Sequence, residues 1–304
     1  MEFSGKIPRQ HRNMRVEFAW MCALQAEHYC YKSSTNLLND YDLIVVILPK
    51  KNLNLWIDSG VMEILRQKCK KFSIMQEGPS WYFQDYDVST QFWFYNQLAT
   101  TDILFVHNPF DKKYYSGLTG HKNVHVLQSL LIDEELQKIP EPSHKTGTMI
   151  GGNFVSWYGG FDSYITALSA NDKIYCPSMG RKQEQEVLIK DINYLPYLDW
   201  LGWMTELSNM RLGIDLMRTH AAGTFALNCA YFGIPCIGYK GLYTQETCFP
   251  ELSVDFGDME KSQKVVQELS DSNYYRFISS RAKELYRLNF SESVFLERFK
   301  NCLK

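Results

Sequence analysis

Short β-branched or apolar runs alternate with longer stretches of helical periodicity along most of the chain, the pattern of a parallel sheet whose faces are covered by helices. In the first half, strands are predicted at Arg15–Trp20, Leu43–Leu48, Phe72–Gln76, Ile103–His107 and Val124–Gln128, while Val61–Lys70 and Thr90–Leu98 have helix length and periodicity. The pattern stops near Ile139, where the segment IPEPSHKTG gathers two prolines, a glycine and polar residues, the strongest linker signal in the chain. A second series follows: strand Thr148–Ile150, a glycine-rich loop, helix Tyr164–Ser169, strands Lys173–Cys176 and Ile189–Leu195, helix Trp200–Asn209, strand Leu212–Met217, helix Thr224–Phe232 and strand Pro235–Tyr239. The tail from Met259 to Leu303 is helical and amphipathic, broken at Asn289-Phe290-Ser291, where Ser291 is placed to N-cap the last helix.

For 304 residues this reads as an α/β chain of two Rossmann-like domains, residues 1–143 and 144–304, with C-terminal helices closing the cleft between them. Its 45% hydrophobic and 22% charged residues exclude disorder, collagen and coiled coil. Lys and Arg number 32 against 34 Asp and Glu, a net charge of -2, so no global basic field draws the chain to nucleic acid. The eight cysteines are scattered, with no C-x-x-C pair and no His cluster at metal-ligand spacing, which speaks against a structural zinc or a disulfide framework. The N-terminal MEFSGKIPRQHRNMR has no apolar core, and no apolar run approaches the roughly 18 residues that span a bilayer, so a cytoplasmic location with reduced thiols is expected.

The most informative stretch runs from Leu212 to Glu246. An apolar strand enters a short loop with Gly223, and a helix opens at Thr224, where unbonded N–H groups and the helix dipole can hold a phosphate. Arg218 and His220 flank that opening. In a doubly wound sheet such a loop lies at the carboxyl ends of the strands, where ligands bind.

Over these residues the chain resembles the nucleotide-sugar glycosyltransferases of the two-Rossmann, or GT-B, architecture. Their donor signature is H-x-x-G, a Glu eight residues after the His, G-[VI]-P, then an acidic residue and a Gln about ten residues after the Pro. This chain reads His220, Gly223, Asn228, Gly233-Ile234-Pro235 and Gln245 at those places. The resemblance implies that Arg218, His220 and the Gly223 and Thr224 amides face the donor diphosphate, Asn228 the ribose and Gln245 the sugar hydroxyls. Two departures stand out: neutral Asn228 replaces the ribose-gripping Glu, and Thr244 replaces the acid before Gln245, with Glu246 as a substitute one residue later. The competing reading is a plain α/β crossover, since strand-Gly-helix followed by G-x-P needs no ligand.

A second glycine loop, Gly151-Gly152-Asn153-Phe154 followed by Trp157-Tyr158-Gly159-Gly160, allows close backbone approach. The resemblance implies that Gly152 and Asn153 cover the donor phosphates and that Trp157 and Tyr158 reach the acceptor; alternatively the loop is a turn pair and the two aromatics pack between domains. In the first domain, the acceptor domain by resemblance, Gln76-Glu77-Gly78-Pro79 follows a strand and precedes Trp81-Tyr82-Phe83, Asp85 and Asp87. Glu77 is the first candidate for the general base that removes a proton from the acceptor hydroxyl as it attacks the anomeric carbon, with Asp85, Asp87 and then His107 behind it. An acidic solvated turn is the alternative. Trp81 and Tyr82 are candidates to stack on a sugar or a splayed base, whereas Trp93 and Phe94 fit a helical core.

Lys6, Arg9, Arg12 and Arg15, with Lys50, Lys51 and Lys68 to Lys71, offer a phosphate-contacting face, which keeps a hydroxylated base in DNA among the acceptors. The expected activity is a metal-independent hexosyl- or pentosyltransfer from a nucleotide sugar to a hydroxyl of a glycan, a small molecule or DNA. The nucleotide sugar is a co-substrate and no cofactor is implied; the D-x-D pair Asp85-Tyr86-Asp87 lies outside the donor domain. Two rivals use the same scaffold: a sugar-nucleotide isomerase or epimerase, and a non-catalytic glycan- or nucleic-acid-binding protein in which Asn228 and Thr244 mark a lost site. Donor, acceptor and stereochemistry are not written in a fold that supports many chemistries.

Overall fold

The structure is a computed structural model, and it describes residues 5–14, 16–30, 39–48, 53–76, 78–177 and 184–304. The first half begins with β1 (Gly5–Lys6), α1 (Val16–Ala23) and β2 (Glu27–His28), the two strands pairing antiparallel. It continues with β3 (Tyr41–Ile47), α2 (Asn54–Asp58), α3 (Val61–Gln67), β4 (Cys69–Gln76), a 3₁₀ turn over Ser80–Asp85, α4 (Val88–Ala99), β5 (Ile103–Val106), α5 (Pro109–Thr119), β6 (Val124–Val126) and α6 (Asp133–Leu136). Strands β3-β4-β5-β6 form a parallel sheet in sequence order.

Alternation along β5 assigns its two faces. Leu104 and Val106 join Phe83, Phe94, Leu98 and Tyr115 in one core, while Ile103 and Phe105 point into a second core that also contains Phe18 and Trp20 of α1. The strand expected at Arg15–Trp20 is thus a helix from Val16, with Arg15 itself outside the described residues. A short apolar run does not distinguish strand from helix by periodicity, and here the side chains of Phe18, Ala19, Trp20 and Cys22 are buried together.

The second half runs β7 (Thr148–Ile150), α7 (Gly160–Leu168), β8 (Ile174–Cys176), β9 (Ile192–Tyr194), α8 (Trp200–Ser208), β10 (Leu212–Asp215), α9 (Thr224–Phe232), β11 (Cys236–Tyr239), α10 (Tyr243–Cys248) and β12 (Ser253–Val254). The parallel six-stranded sheet has the order β12-β11-β10-β7-β8-β9. In this doubly wound order the chain reverses direction across the sheet between β7 and β10, and that switch point opens a crevice at the carboxyl ends of the two strands.

The tail forms α11 (Met259–Glu268), α12 (Ser272–Phe290) and α13 (Glu292–Cys302). Helix α13 crosses to the first sheet, where Phe299 stacks on Phe105 (5.9 Å between centroids) and Phe295 on Trp20 (6.1 Å). Ser291 occupies the N-cap position but makes no capping bond; instead Asp133 takes the Glu292 N–H (3.4 Å) and the Tyr286 hydroxyl. Arg9 grips Glu292 through both terminal nitrogens (2.9 and 2.6 Å).

Part of the basic face expected from the sequence is engaged in pairs within the chain, most of them at the exposed surface. Besides Arg9, Lys68 pairs with Asp40 (3.4 Å) and Lys70 with Asp42 (2.7 Å), and Lys71 donates to the Leu303 carbonyl (2.6 Å). Lys50 and Lys51 lie outside the described residues. Among the described residues no helix is long and apolar enough to cross a membrane.

Candidate functional site at the strand switch point

Three segments meet at the carboxyl ends of β7 and β10: the Gly151–Asn153 turn, the loop from Leu216 to Ala222, and the start of α9. The turn is seated by Gly151 N–H donating to the Ile214 carbonyl (2.8 Å). Helix α9 opens at Gly223, which is left-handed (φ 63°) and supplies no side-chain cap. A Cβ there would lie 2.0 Å from Thr244 Oγ1, and that hydroxyl donates to the Gly223 carbonyl (2.7 Å). The first-turn amides of α9 therefore keep their donor capacity for a ligand rather than for a side chain of their own.

A cavity of about 220 Å³ lies against this helix start, lined among others by Gly151, Pro177, Leu195, Trp203, Thr224 and Asn228. With its amide oriented as the neighbours require, Asn228 donates from Nδ2 to the Thr224 carbonyl (3.0 Å) and accepts from Trp203 Nε1 (3.1 Å). One N–H and one lone pair of that amide remain for a ligand. Asn153 is buried, and its Nδ2 has no partner among the described residues.

The other glycines serve close packing. A Cβ on Gly152 would meet the Tyr158 carbonyl at 2.7 Å, one on Gly159 the Leu216 carbonyl at 1.8 Å and one on Gly160 the Asn153 carbonyl at 2.3 Å. The doubled loop thus locks onto itself and onto the chain leaving β10. Asp215, at the end of β10, is buried beside Gly151, and that burial pushes its carboxyl up to about 7.

Arg218 is held by Asp162 of α7 through three contacts (3.1, 2.8 and 2.6 Å), and Asp162 also accepts the Tyr239 hydroxyl (3.0 Å). The diphosphate contact expected of Arg218 competes with this ion pair. His220 donates from Nδ1 to the Gly241 carbonyl (2.6 Å), since a carbonyl can only accept. Its ring stacks on Phe110 of the first half at 3.8 Å and 10°. Gln245 is fully buried, its Nε2 donating to the Cys236 carbonyl (2.8 Å) and its side chain pressed against Gly238, so it is not placed to reach a sugar.

Across the cleft, Trp81 Nε1 donates to Thr219 Oγ1 (2.9 Å) and Ser129 Oγ to the Ala222 carbonyl (2.7 Å). The four aromatics expected at the acceptor form one row: Tyr82 to Trp81 (5.8 Å), Trp81 to Trp157 (6.4 Å) and Trp157 to Tyr158 (4.1 Å). Glu77 lies outside the described residues. Asp85 ends the 3₁₀ turn, exposed. Asp87 caps α4, and hydrogen bonds from Ser89 and Thr90 hold its carboxyl down at about 2. His107 is buried against Trp20 (5.4 Å), inside the core rather than at the aromatic row. Asp162, Trp203, Asp215 and Phe110 complete the site and were not singled out by the sequence; only the strand-end position of Asp215 was a local signal.

No protein-family model matches the sequence, and no curated protein sequence matches it. Solved structures do. Sucrose-phosphate synthase from Thermosynechococcus elongatus superposes with a TM-score of 0.65 at 15% identity, covering 86% of this chain and 73% of that one. TarM gives 0.65 at 10% identity over 86% of this chain, and the pneumococcal O-GlcNAc transferase GtfA, solved with UDP and GlcNAc, gives 0.62 at 10% identity over 85%. This chain spans 54% of TarM and 56% of GtfA, about half their length. The shared architecture is GT-B, two Rossmann-like units with a crevice between them.

Proposed function

With the GT-B fold as premise, we propose that this chain is a glycosyltransferase that moves a sugar from a nucleotide-sugar donor to an acceptor hydroxyl. The observation that carries the reading is the α9 start: a helix without a side-chain cap, opening at a left-handed glycine, beside a cavity at the switch point of the sheet. The base would lie among Pro177, Leu195 and Trp203, the ribose at Asn228, and the diphosphate on the first amides of α9 and the buried amide of Asn153. As the glycosidic bond breaks, negative charge grows on the leaving diphosphate, where the amides and the helix dipole stabilise it. With Nδ1 taken by the Gly241 carbonyl, Nε2 is the His220 nitrogen left to face a ligand.

The acceptor would meet the row Tyr82, Trp81, Trp157 and Tyr158, whose faces suit a sugar ring. DNA stays among the alternative acceptors on the sequence alone, since the pairs of Lys68 and Lys70 lie at the exposed surface. Glu77 keeps its place as proposed base on the sequence alone, ahead of Asp85. The test is release of nucleoside diphosphate from a panel of UDP-, GDP- and ADP-sugars, with the sugar product identified. Release with one donor, accelerated by an acceptor, is expected. Interconversion of the sugar without release would replace this reading by the isomerase, and no turnover with any donor by the binding protein.

A further inference from the structure

Phe110, near the start of α5, is 46% exposed and belongs to neither core, so burial does not account for an aromatic ring there. Its ring lies flat on His220 of the other half, with the centroids 3.8 Å apart and the planes 10° from parallel. Gly241 closes an edge of the same imidazole. Its carbonyl accepts from Nδ1 (2.6 Å), and a Cβ on that glycine, whose φ is 102°, would lie 2.9 Å from Cε1. The loop that carries His220 is also tied to the first half on both sides of it. Thr219 Oγ1 accepts from Trp81 Nε1 (2.9 Å), and the Ala222 carbonyl accepts from Ser129 Oγ (2.7 Å).

The torsion that turns an imidazole about its Cβ–Cγ bond is soft and has two broad minima. On a loop such a ring samples many directions, and a half turn exchanges Nδ1 with Cδ2 and Nε2 with Cε1. The Gly241 bond selects one of the two minima, because the flipped ring would set a carbon against the carbonyl. The Phe110 face narrows that minimum, because rotation out of the common plane drives an imidazole edge into the phenyl ring. Together they leave Nε2 with one direction. A group held in advance loses less freedom when a ligand arrives.

We propose that Phe110 is a positioning residue for the donor site, acting through His220 by holding the imidazole so that Nε2 meets the nucleotide in one orientation. The role rests on the glycosyltransferase reading and deepens it, since it makes a first-half side chain part of the donor-binding machinery.

The test combines NMR and calorimetry on the full chain and on Phe110→Ala, Phe110→Tyr, His220→Ala and the double variant Phe110→Ala with His220→Ala. The His220 ring signals are assigned by their loss in His220→Ala. At alkaline pH, where the ring is neutral, the parent should show ring protons displaced upfield by the phenyl face and a single form protonated at Nδ1. Phe110→Tyr should keep both features, and Phe110→Ala should lose the displacement and mix the two protonated forms. An Nδ1–H form unchanged in Phe110→Ala overturns the role. Titration with UDP, GDP, ADP and dTDP in turn finds the nucleotide that the parent binds. Phe110→Ala should weaken that binding about fivefold where His220 is present and leave it unchanged in His220→Ala, while Phe110→Tyr keeps the parent affinity. Equal weakening in both backgrounds overturns the role, as does weakening in neither. Failure of the parent to bind any of the four counts separately, against the glycosyltransferase reading, and the ring signals then decide the role of Phe110.

Discussion

Helices α5 and α9 both start at the carboxyl end of a central parallel strand, yet they finish their first turns in opposite ways. In α5, Asn108 Oδ1 accepts the Asp111 N–H (2.8 Å), Asp111 Oδ2 accepts from Asn108 Nδ2 (2.7 Å), and Pro109 removes a donor. The first turn satisfies itself with its own side chains. In α9 the same position holds a left-handed glycine, and the supporting hydroxyl, Thr244, is turned to the glycine's carbonyl rather than to the helix amides. The contrast separates a helix start that is scaffold from one left open for an anion. It parallels the sheets: the first runs in sequence order, whereas the second reverses and so opens a crevice at its switch point.

Closing the α9 start should break this contrast most severely. Gly223→Ala places a Cβ in a left-handed backbone and against Thr244, and should cost about 3 kcal/mol of stability and abolish nucleotide-dependent stabilisation, read by thermal unfolding with and without UDP. Next in size is the burial of Asp111. Its carboxyl, pushed up to about 7 by desolvation, has a folded value above the unfolded one near 4, so it contributes a penalty that grows as pH rises from about 4 to 7 and is constant above. Asp111→Asn should therefore gain stability over the parent at pH 8, on the order of 2 kcal/mol, and lose that advantage at pH 4. Unfolding midpoints of both proteins across that range would show it; parallel curves would contradict the assignment.

Thr244→Val keeps the shape while removing the bond to the Gly223 carbonyl. It should cost about 1 kcal/mol and weaken UDP binding several-fold, measured by calorimetry. The smallest effect belongs to the scaffold side, where Asn108→Ala should lose slightly under about 1 kcal/mol of stability while UDP affinity stays at the parent value. A loss of UDP affinity in that variant would erase the distinction between the two helices.

Much of the second half was legible because its signals are local. The strand ending near Asp215, the glycine loop and the helix over Thr224–Phe232 follow from composition and spacing within a few residues. What the sequence hid depends on partners far along the chain. Asp162 lies 56 residues before the Arg218 it binds, and Phe110 comes from the other half to cover His220. Thr244 looked like the loss of an acid, and only its packing against Gly223 shows the clamp that needs a small hydroxyl there. Gln245 matched a motif position, but burial against Gly238 removes it from any ligand. In the first half, the apolar run at Val16–Ala23 was compatible with either period, and its helical form is set by packing against α13. Lys68, Lys70 and Lys71 read as one surface for phosphate, and only the fold shows that Lys68 and Lys70 sit beside Asp40 and Asp42 while Lys71 reaches the Leu303 carbonyl.

The central claim is that the α9 start is a nucleotide site, and thermal unfolding against UDP, GDP, ADP and dTDP tests it most directly. One nucleotide should raise the midpoint with its concentration, as preferential binding to the folded state requires, and the rise should vanish in Gly223→Ala and persist in Asn108→Ala. No rise with any of the four at saturating concentration, or an equal rise in Gly223→Ala, would contradict the account.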